Sequence, residues 1–352
     1  MRHRVAYFQP SFAAALILLL TCSVNAVACE SATCICESSP IRCLRQGGWS
    51  VAISPNFHVC SLQGTAEAQA AAERCEEVRA SLTRTWQFSE QGPWSPKCQV
   101  VLYPSASSYV AAIGPGSETS FGSSLVRPAT GTITSRRIDL RTDLPDYLVA
   151  ALPHEMCHLL IADRFRNRPA PLWYDEGLAL LMDKPEKLKL HERDLREGLR
   201  KGTAFRLSEI FAAESYPEAH RVPVFYGQCA ALTRLLLTEG EPRKIHAFAE
   251  RLTSLGANAA LLATYDIPNF DKLERKWLRG LSSPPTSVAS HLLTQDSGER
   301  FKFASVSKVN TPFGVSDNKS DVSHIPSSAF DNGRPSGPGL RSFGHQLAAD
   351  RH

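Results

Sequence analysis

Two kinds of hydrophobic pattern divide the chain near Asp146. In the first part, apolar residues recur at every third or fourth position from Thr65 to Trp86, which predicts an amphipathic helix. Strand-forming residues are concentrated on either side of it, in Trp49–Val59, Cys98–Tyr103 and Phe121–Leu140. The first of these segments contains a turn-forming Ser-Pro-Asn, and the last alternates strand formers with Gly and Thr, as hairpins do. The first part is therefore predicted to be a small mixed sheet with one helix.

After Asp146 the apolar residues follow the period of helices. Helices are predicted at 146–166, 172–183, 190–201, 224–239, 242–255 and 269–281. Several of them end at visible stop signals, namely Pro169, Pro185, Gly240 and Gly256. Together the two parts predict an α+β fold, in which the small sheet and its helix pack on a helical domain.

The first 28 residues have the composition of a secretory signal peptide. They contain no acid, and Arg2 and Arg4 precede an apolar stretch and a small-x-small cleavage pattern at 26–28. The apolar run of 13 residues from Phe12 to Val24 is short of the roughly 20 that a membrane span needs. We therefore expect cleavage, no integral membrane span afterwards, and a secreted, periplasmic or cell-surface protein. A lipid-modified Cys22 or Cys29 is the minor alternative.

Composition sets the remaining boundaries. Residues 29–48 are cysteine-rich and are interpreted as a leader or surface flap, and 49–283 as the folded domain. The segment 284–352 is rich in Ser, Gly, Asn and Pro, has no apolar period, and is predicted to be a disordered tail. Removing residues 1–28 takes away two positive charges and no negative one, so the formal net charge falls from +4 to +2. This balance does not predict a nucleic-acid partner.

The cysteines are unevenly distributed. Of the ten, one lies in the predicted signal and seven crowd between residues 29 and 98. Such crowding in an exported chain favours disulfides, with a small metal site at Cys34-Ile-Cys36 as the alternative, and the connectivity cannot be deduced. Cys157 and Cys229 lie on apolar helix faces and are predicted to be buried thiols.

Candidate chemistry begins in the helix predicted at 146–166. It contains His154-Glu155-Met156-Cys157-His158, and the i, i+4 spacing places both imidazoles on one face, a turn apart. Zinc accepts neutral imidazole, and a catalytic zinc site needs a third protein ligand and one open position. Without that third ligand, two structural histidines on an ordinary helix remain the alternative.

The next predicted helix supplies a third ligand. Glu176 stands near the start of Trp173-Tyr-Asp-Glu-Gly-Leu-Ala-Leu-Leu181, with 17 residues between it and His158. A buried acid on such an apolar stretch is costly without a partner, and a metal ion provides one. Gly177 and Ala179 are expected to let this helix approach the first one closely. The predicted ligands of Zn²⁺ are thus His154, His158 and Glu176, although other late first-row metals share this ligand preference.

Four further residues receive candidate roles. Glu155 projects beside the ligand face and is expected to act as general base on a metal-activated water, then to protonate the leaving amine. Tyr226 is the first candidate for the donor that stabilises the oxyanion, and His220 the second. Asp175 is interpreted either as a residue that orients a ligand histidine or as a helix N-cap.

At these residues the chain resembles the gluzincin zinc metallopeptidases, in particular the peptidase MA-like group related to thermolysin and aminopeptidase N. The resemblance runs from about Asn56 to Leu281 and rests on the segments 151–158, 172–179, 225–228 and 273–278. It implies the same ligands and catalyst, and an edge strand within 121–140 that lies beside the active-site helix and receives extended substrate. Two features depart from the family: Pro153 suggests that the helix kinks or restarts, and no Gly-x-Met-Glu-Asn segment is present.

The resulting hypothesis is a secreted zinc endopeptidase acting on a peptide or protein. In the aminopeptidases the Gly-x-Met-Glu-Asn segment anchors the substrate amine. Because this segment is missing, an endopeptidase is predicted rather than an exopeptidase. The alternative is a catalytically silent, zinc-stabilised binding or scaffold protein of the extracytoplasmic space. Intact Glu155 favours the enzyme, because a structural zinc site needs ligands but no base. The sequence gives no indication of oligomeric state or substrate preference.

Overall fold

The computed structural model describes residues 41–282, apart from 90, 91 and 145, together with the short strand 341–344. All of them belong to the unit that spans Ile35–His352. The predicted signal peptide, most of the predicted leader, and most of the predicted tail lie outside the described residues. Within the described part, a mixed sheet and eleven α-helices confirm an α+β fold.

The sheet joins the N-terminal strands in the order β1-β2-β3-β4-β6-β5. Its strands are β1 Arg42–Gln46, β2 Trp49–Ile53, β3 Phe57–Ser61, β4 Cys98–Tyr103, β5 Gly122–Ala129 and β6 Thr132–Arg141. Pairing is parallel between β3 and β4 and between β4 and β6, and antiparallel elsewhere. The segment β7 Arg341–Gly344 adds to the outer side of β5. The sheet is therefore mixed, as predicted.

Two local predictions about strands need correction. The segment 49–59 is not one strand, because the Ser-Pro-Asn turn divides it into β2 and β3. The end of the segment predicted as a leader or surface flap is instead a strand of the sheet, since β1 pairs along its whole length with β2. The sequence of β1 does not alternate between apolar and polar residues, so the strand could not be predicted from its own residues and is identified only by its pairing with β2.

Eleven α-helices accompany the sheet in the described part of the chain. They are α1 Thr65–Thr85, α2 Ala106–Ile113, α3 Tyr147–Ala150, α4 Leu152–Arg164, α5 Leu172–Leu180, α6 Pro185–Lys201, α7 Leu207–Ala212, α8 Val222–Thr238, α9 Pro242–Leu255, α10 Ala257–Tyr265 and α11 Phe270–Ser282. The helix predicted at 146–166 is interrupted at Ala151 and restarts as α4, with Pro153 in its first turn. A proline is tolerated there because backbone N–H groups in the first turn of a helix have no intrahelical acceptor, so the N–H that proline lacks costs no helical hydrogen bond.

One continuous apolar core fixes α4 against the sheet. Side chains of β3, β4 and β6 meet the buried faces of α1 and α4, and the largest of these are fully buried. Leu152, Met156 and Leu159 of α4 lie in this core, one helical turn apart. The intervening positions 154, 155 and 158 are buried as well, so they face other parts of the protein rather than solvent.

The cysteines of the folded part occupy core positions. Cys60, Cys75 and Cys98 are buried free thiols, which corrects the disulfide prediction for these three residues. They serve as small apolar side chains in the core. Cys157 and Cys229 are buried thiols, as predicted. Cys29, Cys34 and Cys36 lie outside the described residues.

Among the residues that the structure describes, no helix combines the length and the apolar character needed to cross a bilayer.

A buried histidine predicts a pH-dependent stability. The Nε2–H of His246 donates to the carbonyl of Trp86 over 2.6 Å, and its Nδ1 accepts from the hydroxyl of Tyr174 over 2.7 Å. Burial lowers the pKa of His246 from 6.5 to about 4. The unfolded chain therefore gains a proton before the folded chain does, and stability is lost as the pH falls from 6.5 towards 4. At about 1.4 kcal/mol per unit the loss amounts to about 3 kcal/mol.

The variant His246→Gln should lack this dependence. We expect the difference in the free energy of unfolding between wild type and variant to shrink by about 3 kcal/mol between pH 7 and pH 4. Urea unfolding at several pH values measures it. His220→Gln is the matched control, because the side chain of His220 is exposed. If the difference in the free energy of unfolding between wild type and His246→Gln stays constant with pH, the prediction is wrong.

Candidate metal centre

Two imidazoles of α4 face each other at the centre of the site. The Nε2 atoms of His154 and His158 are 3.1 Å apart, and both residues are almost completely buried, with 2% and 1% of their surface exposed. The i, i+4 spacing produces this arrangement, as the sequence predicted. Since two lone pairs at this distance would repel, the contact requires either a proton on one of the two nitrogens or a metal ion bound by both.

Electrostatics show what takes that place without a metal. Burial lowers the pKa of His154 to about 3. Burial also opposes the charge on His158, but the adjacent carboxylates, led by Asp175, raise its pKa to about 9. His158 is therefore the protonated ring, and its Nε2–H points at the lone pair of His154. In the metal-free protein these pKa values place one proton between the two nitrogens, at the position that a metal ion bound by both rings would take.

Glu176 of α5 completes the cluster. Its carboxylate and the ring nitrogens of His154 and His158 offer ligand atoms that all lie within 4.8 Å of one another. Its Oε1 accepts a hydrogen bond from the hydroxyl of Tyr216. Its Oε2 is buried without a hydrogen-bond partner among the described residues. Such an atom is costly unless another group satisfies it.

The three residues fit a zinc ion by geometry as well as by donor type. Two nitrogens that each bind zinc at about 2.0–2.1 Å in a tetrahedral site are separated by about 3.3 Å. The observed separation of 3.1 Å differs little from that value. Two imidazoles and a carboxylate leave one of four positions open, which is the pattern of catalytic sites rather than of closed structural ones.

Two further carboxylates orient the rings. Asp175 Oδ1 accepts from the Nδ1 of His158 over 2.8 Å, and Asp183 Oδ1 lies 3.3 Å from the Nδ1 of His154. Both contacts place a proton on Nδ1 and so turn each Nε2 towards the cluster. Asp175 is therefore an orienting residue, and the N-cap position of α5 belongs to Pro171. Asp183 was not found from the sequence, although it is the acid that ends the apolar run of α5.

Asp183 itself is held as an anion. Burial favours its neutral form, but Lys187, whose Nζ lies 3.1 Å away, and His154 keep the pKa of Asp183 well below its usual value. His191 also lies close, with its Nε2 3.5 Å from Asp183 Oδ2. Lys187 and His191 come from α6, so this helix stabilises the orientation of a ring on α4.

Glu155 lies beside the cluster and contacts the sheet. Its Oε2 accepts a hydrogen bond of 2.7 Å from the hydroxyl of Ser124 on β5. Burial raises the pKa of Glu155 to about 7. A carboxyl group with that pKa can both accept and return a proton near neutral pH.

Of the two candidates for the oxyanion donor, Tyr226 lies beside the cluster and His220 does not. Tyr226 of α8 is buried next to the cluster, where its ring packs against His191 and Tyr216, and burial followed by Glu176 raises its pKa well above the usual value. His220 is instead exposed and pairs with Glu218 over 3.4 Å, so it is not brought to the site. Tyr216, which the sequence analysis missed, contacts Glu176 directly. It lies in an irregular segment between α7 and α8, where no periodic pattern marks it.

Gly177 has a different neighbour from the one predicted. A Cβ atom at this position would lie 2.0 Å from Oγ1 of Thr233 and 3.0 Å from the carbonyl of Cys229. Both residues belong to α8, so Gly177 permits the close packing of α5 on α8, not on α4 as expected. This packing fixes the backbone next to Glu176.

Comparisons with known proteins add no family to this description. No family model matches the chain, and no curated protein matches it significantly. The fold and the site define a mixed α/β protein with a buried cluster of two histidines and a glutamate that is suited to a metal ion.

Proposed function

We propose that the protein is an exported zinc-dependent peptidase that holds Zn²⁺ with His154, His158 and Glu176. The observation that carries this proposal is the convergence of the three ligands with Glu155 directly beside them. The resemblance to the gluzincin peptidases, which rests on the same residues, supports it. Export rests on the composition of residues 1–28.

The residues of the chain have separable tasks in peptide hydrolysis. Zinc, when bound, supplies Lewis acidity and lowers the pKa of a water molecule to about 7. Glu155 is placed to take up a proton on its carboxylate and to deliver it to the leaving amine, while Ser124 holds the carboxylate in position. Tyr226 is a neutral hydroxyl beside the cluster and is suited to hydrogen-bonding an oxyanion, while the hydroxyl of Tyr216 donates to Glu176.

A catalytically silent zinc protein is the second candidate. It shares the ligands and the orienting carboxylates, since a structural site requires both. The specific observation that favours the enzyme is the burial of Glu155, which is 1% exposed and has a pKa raised to about 7. A buried acid that binds no metal is costly, and a structural zinc site gives it no task.

The proposal is tested by metal analysis and peptide hydrolysis on the same purified protein. We expect one zinc per chain and cleavage within an unfolded polypeptide. Chelation should remove the zinc and abolish the cleavage, and adding zinc should restore the cleavage. Cleavage at internal bonds, read by mass spectrometry, distinguishes an endopeptidase from an exopeptidase. One zinc per chain without hydrolysis of any of a panel of unfolded proteins points to the silent scaffold. Absence of a bound metal refutes both.

A further inference from the structure

The outer side of β5 carries a peptide segment from the far end of the chain. One side of β5 pairs with β6, and the other pairs with β7 in antiparallel orientation. The register joins Ser123 to Gly344 and Val126 to Arg341. Without β7, β5 would be an edge strand of the sheet, with one row of backbone N–H and C=O groups available to another extended chain.

The same stretch of β5 borders the candidate metal centre. Ser124, which pairs with Phe343 in the register, donates its hydroxyl to Glu155. Neighbouring strands of a sheet lie about 4.8 Å apart. An extended backbone on the outer side of β5 therefore runs one strand spacing from the residue that contacts the general base. Antiparallel addition of a strand to a free edge is a common way to bind an extended peptide.

The resemblance implies that an edge strand within 121–140 receives extended substrate, and we propose that Arg341–Gly344 of the same chain occupies the outer edge of β5 as an intramolecular competitor for it. The inference deepens the proposed function. It rests on that function in one respect, namely that the peptides competing with Arg341–Gly344 for the edge are substrates. The occupant is taken from the structure itself, where β7 forms four register pairs with β5. Its affinity comes from main-chain hydrogen bonds, so it competes with peptides of varied sequence.

A tethered competitor is effective even when it binds weakly. Tethering gives a peptide an effective concentration on the order of 1 mM. If the free peptide binds with a Kd of about 0.1 mM, the tethered one occupies the edge about ten to one and raises the apparent KM roughly tenfold. Once substrate displaces it, the chemical step is unchanged, so kcat should not differ.

The first experiment weakens β7 within the full chain. In Ser342→Pro/Phe343→Pro two adjacent N–H groups are removed; because neighbouring residues of a strand point their N–H groups to opposite sides, one of them must face β5. Ser327→Pro/Ser328→Pro is the matched control outside β7. We expect a KM for an unfolded peptide about tenfold lower in the first variant than in the control, at equal kcat. Equal KM values overturn the proposal.

The second experiment does not depend on hydrolysis. A fluorescent synthetic peptide of residues 338–347 is titrated against both proline variants in the Glu155→Gln background, which prevents its cleavage. We expect binding about tenfold tighter to Ser342→Pro/Phe343→Pro than to the control, because its edge is free. Equal binding to the two chains, or binding to neither, overturns the proposal. If every chain fails to hydrolyse peptides but the binding difference is found, the proposed peptidase fails while the occupancy of the β5 edge by 341–344 stands.

Discussion

Replacing Glu155 with Gln is expected to reduce kcat for peptide hydrolysis by roughly 10²- to 10⁴-fold while one zinc stays bound. Glutamine preserves the length of the side chain and an oxygen that can accept from the hydroxyl of Ser124, so the local structure should persist. It cannot accept the proton that a carboxylate takes up. Steady-state kinetics and metal analysis on the same preparation measure the two quantities separately. The loss should appear in kcat and not in KM, because the group acts on the reacting atoms.

Ser124→Ala provides the comparison for this variant. It removes the hydrogen bond that positions Glu155 but leaves the carboxylate, so we expect a much smaller loss in kcat. A Glu155→Gln protein that keeps more than a tenth of the wild-type kcat, with its zinc in place, would remove Glu155 from the mechanism and would favour a different base. Loss of zinc from this variant would instead show that Glu155 stabilises the metal site.

The central features of the site were predictable because they depend on local geometry. The spacing of His154 and His158 places both on one face of any helix, and the buried acid of a neighbouring helix has few alternatives to a metal partner. The restart of α4 at Leu152 followed from Pro153 for the same reason. These conclusions need only the chain within a few residues of the motif.

The residues that were missed depend on contacts between elements distant in sequence. Asp183 orients His154 only because α5 doubles back along α4, and Tyr216 reaches Glu176 from an irregular segment. Gly177 was predicted to pack against α4 but packs against α8. A small residue indicates that another element approaches closely, but it does not indicate which one. The strand β1 and the eight-residue helix α2 were missed because neither presents a regular apolar face.

The four ionisable residues of the site are buried at a cost in stability that a bound cation would offset. Glu176, His154, His158 and Glu155 are each nearly fully buried, and burial disfavours the charged form of each. Protons partly relieve the cost in the metal-free protein, as the pKa of His158 near 9 indicates. In the proposed zinc-bound protein the metal takes the place of those protons, so its binding should release protons and stabilise the fold.

Removal of Glu176, the proposed third ligand, is the most direct test of the candidate metal centre. Glu176→Ala is expected to lower the affinity for zinc several hundredfold, because zinc sites with four protein ligands bind with about 10–16 kcal/mol and one ligand accounts for roughly a quarter of that. The variant loses the buried carboxylate whose Oε2 has no hydrogen-bond partner among the described residues, so the metal-free fold should not be weakened by an unpaired charge. Competition with a zinc-binding dye measures the affinity, and urea unfolding of the metal-free protein checks the fold.

Tyr216→Phe is the matched control, since it removes the hydroxyl that donates to Glu176 Oε1 and leaves all three ligands. Loss of an orienting contact of this kind costs about 10- to 100-fold in affinity at most. The two variants should therefore differ clearly, with Glu176→Ala the weaker binder. Loss of a direct ligand should weaken zinc binding more than loss of a hydrogen bond to that ligand. If Glu176→Ala binds zinc as tightly as Tyr216→Phe does, the carboxylate of Glu176 is therefore not a ligand.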